Sequence, residues 1–312
     1  MIVGVFLQNP PTRKTFRFPN HAASFRRKGA TRVARELTEI ERMDQRLLTD
    51  LRKPLFRPFM RAIRQYRLIE PGDRIAVCVS GGKDSMLLAK LMQLLRRHTE
   101  VPFEVVNLVM DPGYSPENRR QVEANIERLD IDATLIDSDV FEVADAQAGA
   151  NETPCFLCAR MRRGCLYRHA QALGCNKIAL GHHFDDVIET TLMAMLWGGQ
   201  IQAMPPKLKA QNFPGMALIR PLYLVREADI CAWRDAFGLT FLRCACRFTE
   251  ATQVDEAASA RARTKRLIAE LRAENPKVEQ NIFNSIHRVQ LDTLVGWKHR
   301  GERHSFLDDW DD

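Results

Sequence analysis

Ser80-Gly81-Gly82-Lys83-Asp84-Ser85 is the stretch whose residue types and spacing are best suited to chemistry. Two glycines let the backbone turn sharply enough for successive N–H groups to face one anion. The apolar run Ile75 to Val79 before it reads as a buried strand. Met86, Leu87, Leu88, Leu91, Leu94 and Leu95 follow at helical spacing, with Ser85 at the N-cap or in the first turn. The helix start adds its positive dipole end, and Ser80, Ser85 and Lys83 add donors and charge. The segment is a phosphate cradle. It is not the G-x-x-x-x-G-K-S/T loop of the common NTPases, because Lys83 is followed by Asp84. The plain alternative is a glycine turn between a strand and a helix.

Asp185 and Asp186 form a second candidate site. Mg²⁺ is held by one or two carboxylates together with phosphate oxygens, so an acidic pair at another strand-to-helix junction suits it. The alternative is that one of them caps the helix starting near Val187. Asp84, inside the cradle, repels phosphate unless it holds a cation or a backbone turn. Eight cysteines supply a third candidate, with the pair Cys155 and Cys158 far along the chain from Cys244 and Cys246. Brought together they offer three or four thiols. Four make a closed zinc site, whereas three on a cubane cluster leave one iron without a protein ligand. Cys78, Cys165, Cys175 and Cys231 read as small buried apolar residues. Arg160, Arg162, Arg163 and Arg168 follow the first pair on a basic helix and are candidate RNA contacts, a solvated helix face being the alternative.

These residues need a frame. The 312 residues suffice for one large α/β domain and a smaller unit, and 45% hydrophobic with 27% charged residues is an ordinary soluble composition. No apolar stretch reaches the roughly 20 residues of a membrane span, and no apolar core of a secretory signal is visible, which predicts a cytoplasmic protein with no membrane partner. The net charge of +7 favours a polyanion such as RNA. Residues 1–35 hold eight Lys or Arg and no acid, and read as a disordered basic leader, the alternatives being an RNA-contacting arm, a transit-like leader or upstream sequence included by a wrong start codon. Residues 37–69 are helical in pattern, divided at Pro54 and Pro58. Their basic face, from Arg52 to Arg67, is available to a nucleic acid or simply solvated. Phe103 to Met110, Ala133 to Ile136 and Lys177 to Leu180 read as strands, and Ile219 to Leu222 as short and strand-like. Glu117 to Leu129, Asp139 to Gln147, a segment opening at Cys155, one ending at Leu196 and Arg226 to Phe237 read as helices. Asp255 to Arg272 and Pro276 to Leu294 continue in helical pattern. This alternation predicts an α/β fold, a parallel sheet with helices on both faces, whose ligands lie beyond the carboxyl ends of the strands. The cradle and Asp111 both fall on that edge, where Asp111 could orient a base or bind metal.

SGGKDS after a strand resembles the PP-loop of the ATP pyrophosphatase superfamily. With PCFLCARMRRGCLYRHA, KIALGHHFDD, MPPKL and the IRPL segment, the chain from about Pro71 to Phe248 resembles the tRNA 2-thiocytidine synthetase family. The resemblance implies an adenine-nucleotide α-hydrolase-like domain that binds ATP and Mg²⁺, with Gly181 and His182 joining Ser80, Gly81, Gly82, Lys83, Asp84 and Ser85 at the nucleotide. It implies a 4Fe-4S cluster on three cysteines and a cytidine of the tRNA anticodon loop as substrate. Cys155 and Cys158 are then two cluster ligands. The family carries a C-x-x-C pair at the third position, where this chain has Cys244-Ala245-Cys246, and aligning first cysteine to first cysteine favours Cys244.

The expected activity is therefore ATP-dependent tRNA thiolation, with Asp111, Cys155, Cys158 and Cys244 as catalytic candidates and Cys155, Cys158, Cys244, Cys246, Asp185 and Asp186 as metal candidates. A sulfur donor such as a cysteine desulfurase or free sulfide is implied, and a homodimer is left open. The expected organisation is a leader over 1–36, a helical segment over 37–70, the ATP-binding domain over 71–250, and a helical segment with an acidic tail over 251–312. The rival readings are a PP-loop enzyme with another acceptor, such as a tRNA lysidine synthetase-like ligase, a thiolase with zinc, or a non-enzymatic nucleotide-gated sensor.

Overall fold

The computed structural model describes residues 36–111, 114–137, 154–242, 259–308 and 310, with residues 154–162 as backbone only. The leader and the expected helix over Asp139 to Gln147 lie outside the described residues.

Strand β1 (Arg74–Val79) lies at the centre of a six-stranded sheet, ordered β3-β2-β1-β4-β6-β5. Its neighbours are β2 (Glu104–Asp111), with Val79 opposite Val109, and β4 (Lys177–Ala179), with Val77 opposite Ala179. Beyond them lie β3 (Ala133–Asp137) and β6 (Ala217–Ile219), all parallel. The edge strand β5 (Lys207–Lys209) pairs antiparallel with β6. It has no counterpart in the sequence reading, since three residues are too few to show alternation. The strand expected at Ile219 to Leu222 is displaced: β6 ends at Ile219, and Arg220 opens a turn.

Side chains alternate across β1 as strand geometry requires. Ile75, Val77 and Val79 enter one core cluster, while Ala76 and Cys78 enter the other. The first cluster is covered by α2 (Arg57–Gln65), α3 (Lys83–His98), α4 (Pro116–Arg128), α6 (Phe184–Leu196) and α7 (Glu227–Ala236). The second is covered by α5 (Pro154–Ala172), which supplies Tyr167 and Ala170. Helix α1 (Glu39–Leu48) starts in a capping box between Thr38 and Glu41 and buries Met43 and Leu47. At Pro54 the chain forms a π-helical turn, Arg52–Phe56, before α2, so the expected division at the prolines takes the form of a widened turn.

The C-terminal part departs from the helical expectation. Helices α8 (Ala260–Glu274) and α9 (Val278–Ser285) form, but residues 286–294 do not continue α9. A hairpin follows, β7 (Gly296–His299) and β8 (Glu302–Ser305), with Trp297 stacked on His304. Its two-residue turn, Arg300-Gly301, has both φ angles positive, 52° and 96°, the geometry that matches strand twist.

Candidate active site

The order of the strands reverses between β1 and β4, and that crevice is where an open α/β sheet takes its ligand. Three strand-end segments meet there. The loop after β1 needs glycine at position 81: Gly81 has φ +81°, and a Cβ on it would lie 2.7 Å from Val122 Cγ2. Gly82 is the N-cap of α3 and offers no side chain to the helix's first N–H groups, so these stay available to an anion. Ser85 holds the loop's shape. Its hydroxyl donates to the Gly82 carbonyl at 2.9 Å and accepts the Ser80 N–H at 3.0 Å. Tyr114, after β2, donates its hydroxyl to the Ser80 carbonyl at 3.1 Å.

The segment after β4 packs directly on this loop. A Cβ at Gly181 would stand 3.0 Å from the Asp84 carbonyl carbon and the Ser85 nitrogen, both backbone atoms, so only glycine permits the approach. His182 follows, and burial and then the nearby Arg220 guanidinium lower its pKa to about 4, keeping the ring neutral. His183 caps α6, its ring accepting the Asp186 N–H at 3.4 Å, while Asp186 accepts the His183 N–H at 3.0 Å.

The two aspartates of this turn do different work. Asp185 accepts the N–H of Glu227 at 2.7 Å, capping α7 rather than its own helix, and pairs with Arg226 at 3.1 Å. Asp186 lines the crevice and pairs with Arg261 of α8 at 2.7 Å. Burial alone would raise the Asp186 carboxyl, but neighbouring His183, which donates its backbone N–H, and then the Arg261 guanidinium help hold it below the usual range. Asp84 also lines the crevice. Burial raises its carboxyl, and its Oδ1 is buried without a hydrogen bond. Asp84 and Asp186 thus give the crevice two carboxylates, one with an unsatisfied oxygen, a donor set that fits a hard cation shared with phosphate.

Together Ser80, Gly82, Asp84, Ser85, Gly181, His182, Asp186, Arg163 and Arg261 line one cleft of about 460 Å³. Its floor is the β1 and β4 ends, and Cys78, whose thiol burial pushes up to about 12, belongs to that floor as an inert apolar residue.

A family described as a PP-loop domain matches residues 53–245. The tRNA-cytidine(32) 2-sulfurtransferase of Syntrophotalea carbinolica is 37% identical over 230 residues, 74% of this chain and 86% of that protein. The protein of the same name from Anaeromyxobacter dehalogenans is 36% identical over 239 residues, 77% of this chain and 80% of its own length. The chain belongs to the PP-loop family, in its tRNA-cytidine 2-sulfurtransferase branch. A solved structure, the U34-tRNA thiolase NcsA from Methanococcus maripaludis with its [4Fe-4S] cluster, shares the fold with a TM-score of 0.59 and 19% identity, over 79% of this chain and 82% of that one.

Not every expected PP-loop contact faces the cleft. Lys83 turns to the other side of the loop, where its ammonium meets Asp84 at 3.2 Å and Glu227 at 3.1 Å beside a second depression. Asp111 ends β2 on the expected edge, but one oxygen accepts the Tyr114 N–H at 2.7 Å and the other meets Arg119 at 3.2 Å, which shapes the turn after β2. Arg163 reaches the cleft, whereas Arg168 lies exposed on α5. The side chains of Arg160 and Arg162, and all of Cys244 and Cys246, lie outside the described residues.

The cysteine-bearing segments both lead to the PP-loop. Cys155 and Cys158 fall in the first turns of α5, whose later residues Arg163 and Leu166 line the cleft. Leu242, two residues before Cys244, donates its N–H to the Gly81 carbonyl at 3.3 Å. Of the remaining thiols, Cys165 and Cys175 are buried and Cys231 is half-buried beside Lys83.

Arg261, Glu227 and Arg220 were not visible in the sequence as site residues. Arg261 is one of several arginines on an amphipathic helix and carries no local signal. Glu227 holds both Lys83 and Lys265, and these cations bring its carboxyl down to about 2 although burial acts the other way. Arg220 is buried, with its pKa lowered to about 10 by desolvation, and donates to the Pro205 carbonyl.

Proposed function

We propose that this chain is an ATP-dependent tRNA sulfurtransferase acting on the C2 carbonyl of an anticodon-loop cytidine. The observation that carries the reading is the cleft in which the PP-loop, a helix N-terminus and two carboxylates meet Arg163 and Leu166 of the helix that bears Cys155 and Cys158. In the first step the carbonyl oxygen bonds to the α-phosphorus of ATP and pyrophosphate leaves. In the second, sulfur bonds to C2 and the C2–O bond breaks, with the oxygen leaving as part of AMP. An amide-like oxygen is a poor leaving group until it is joined to phosphate.

The N–H groups of the PP-loop and the first turn of α3 stabilise the charge that develops on the phosphates. Asp84 and Asp186 are the residues that would hold Mg²⁺, which supplies further neutralisation there. Neutral His182 offers a hydrogen-bonding edge without adding charge to the nucleotide site. A base inside an RNA helix is shielded, so a loop nucleotide that can splay out is the natural acceptor.

Cys155, Cys158 and Cys244 are the residues that would hold a 4Fe-4S cluster, with Cys246 as the alternative third ligand. Thiolates are the donors such a cluster takes, and two residues of chain after Leu242 reach at most about 7 Å. When bound through three cysteines, the cluster supplies an iron with an open position able to present sulfide. A cysteine desulfurase or free sulfide is the sulfur source, the site of action is the cytoplasm, and a homodimer is compatible with the reading.

The test is mass spectrometry of nucleosides from the tRNA of a deletion strain. Loss of a single thiolated cytidine that returns with the wild-type gene, and not with Cys155→Ser, is the expected result. An unchanged thionucleoside profile would reject the reading. Anaerobically purified protein should be brown, with colour lost in Cys155→Ser, whereas colourless protein with stoichiometric zinc would favour the zinc form.

A further inference from the structure

Away from the cleft, the π-helical turn and α2 carry a groove of about 570 Å³ lined by Arg52, Phe56, Arg57, Met60, Arg61, Arg64 and Gln65. The lining residues recur at four- and five-residue intervals from position 52, so they form one stripe along the helix. Phe56 and Met60 are 4% and 5% exposed and form the floor, with the arginines exposed above them. From Leu51 to Ile69 the chain has six Lys or Arg and no acid. Among the described residues, no carboxylate lies within ion-pair distance of Arg52, Arg57 or Arg61, whereas Lys83, Arg226, Arg261 and Lys265, in and around the PP-loop cleft, are each paired.

We infer that this groove docks the sugar–phosphate backbone of the tRNA. The inference rests on the function proposed above and assigns that RNA a surface outside the reaction cleft. Arg52, Arg57 and Arg61, unpaired with any carboxylate among the described residues and set above an apolar floor, are suited to phosphate: the floor holds the stems, and the planar heads keep their forked donors. Arginines one helical turn apart stand about 6 Å apart along the axis, a spacing that lets each serve a different phosphate. A widened π turn at the start of the stripe, closed by the Arg57 N–H on the Arg52 carbonyl, brings Arg52 and Arg57 to one face, and such turns recur at functional sites. Backbone contacts of this kind position an RNA without reading its sequence, which leaves base selection to the cleft.

The test measures binding of an unmodified tRNA transcript by fluorescence anisotropy across a series of salt concentrations. It compares wild type with the triple variants Arg52→Ala/Arg57→Ala/Arg61→Ala and Arg52→Lys/Arg57→Lys/Arg61→Lys. These side chains are exposed, so both variants should keep the wild-type melting temperature. The expected result is at least a tenfold loss of tRNA affinity in the alanine variant at low salt. The slope of log K against log salt should flatten by about 2, since each phosphate contact contributes about 0.7 to 0.9. The lysine variant should keep most of that slope, and ATP affinity should be unchanged in all three proteins. Equal tRNA affinity and slope in wild type and alanine variant would overturn the groove while leaving the sulfurtransferase reading intact. A wild type that binds ATP but no tRNA would overturn both. Loss of binding to vesicles containing phosphatidylserine, with tRNA binding unchanged, would assign the surface to lipid and overturn the inference.

Discussion

Asp185 and Asp186 show how far a motif carries and where it stops. Their position after a strand placed both on the ligand edge, yet only Asp186 lines the cleft, while Asp185 caps α7. Adjacent residues on a helix point about 100° apart, so one of two neighbours must turn elsewhere, and which one depends on the helix packed beside them. His182 is a similar case: its place in the motif was legible, its neutrality was not. Its pKa of about 4 in the folded chain lies below the ordinary value of 6.5. Above pH 6.5 the ring is neutral in both states and this stability is fully present. As pH falls from 6.5 towards 4 the unfolded chain binds a proton that the folded one refuses, and stability declines. The full loss is on the order of 3 kcal/mol. Urea titrations from pH 7 to pH 4 should show the wild-type midpoint falling more steeply than that of His182→Gln, and parallel profiles would contradict the burial argument.

At the scale of elements, the long central strand, its glycine loop and the helix after it were legible because each is long and strongly patterned. The three-residue edge strand was not. Its pairing with β6 is a tertiary event with little local signature. The hairpin at the C-terminal end did carry a signal, Arg300-Gly301 between short polar–aromatic runs, but helical spacing upstream masked it. Docking of α1 depends on an interaction that no pattern reveals. Lys90 of α3 is fully buried, and its ammonium meets Asp44 of α1 at 2.7 Å and the Leu129 carbonyl at 3.0 Å. Removing one partner of such a pair strands a buried charge, so Asp44→Ala should cost about 3–5 kcal/mol in denaturant unfolding. Adding Lys90→Met to that variant should restore much of the loss, because the charge that needed a partner is gone.

At the scale of the whole molecule, the cleft at the PP-loop is finished by a helix outside the stretch that matches the PP-loop family. Helix α8 begins at Ala260, beyond residue 245, and returns Arg261 to Asp186 and Lys265 to Glu227. In the adenylating step proposed above, a fixed guanidinium in this cleft should stabilise the charge that develops on phosphate. Arg261→Ala should therefore slow tRNA-dependent pyrophosphate release about tenfold to a hundredfold, a magnitude ordinary for one preorganised donor. Its side chain is 48% exposed, so the melting temperature should stay close to wild type. A matching fall in stability and rate would instead make Arg261 a structural clamp for α8.

What the sequence determined by itself was the fold class, the PP-loop, the candidate metal and thiol residues and the family they resemble. Each of these is written in local order, as a run of apolar residues, a glycine pair or a fixed spacing. The tertiary structure alone decided which aspartate faces the cleft, that Lys83 turns away to Glu227, that Arg261 arrives from a distant helix, and that Arg52, Arg57 and Arg61 share one groove. Those outcomes depend on which surfaces pack together, and packing joins residues that the chain keeps far apart.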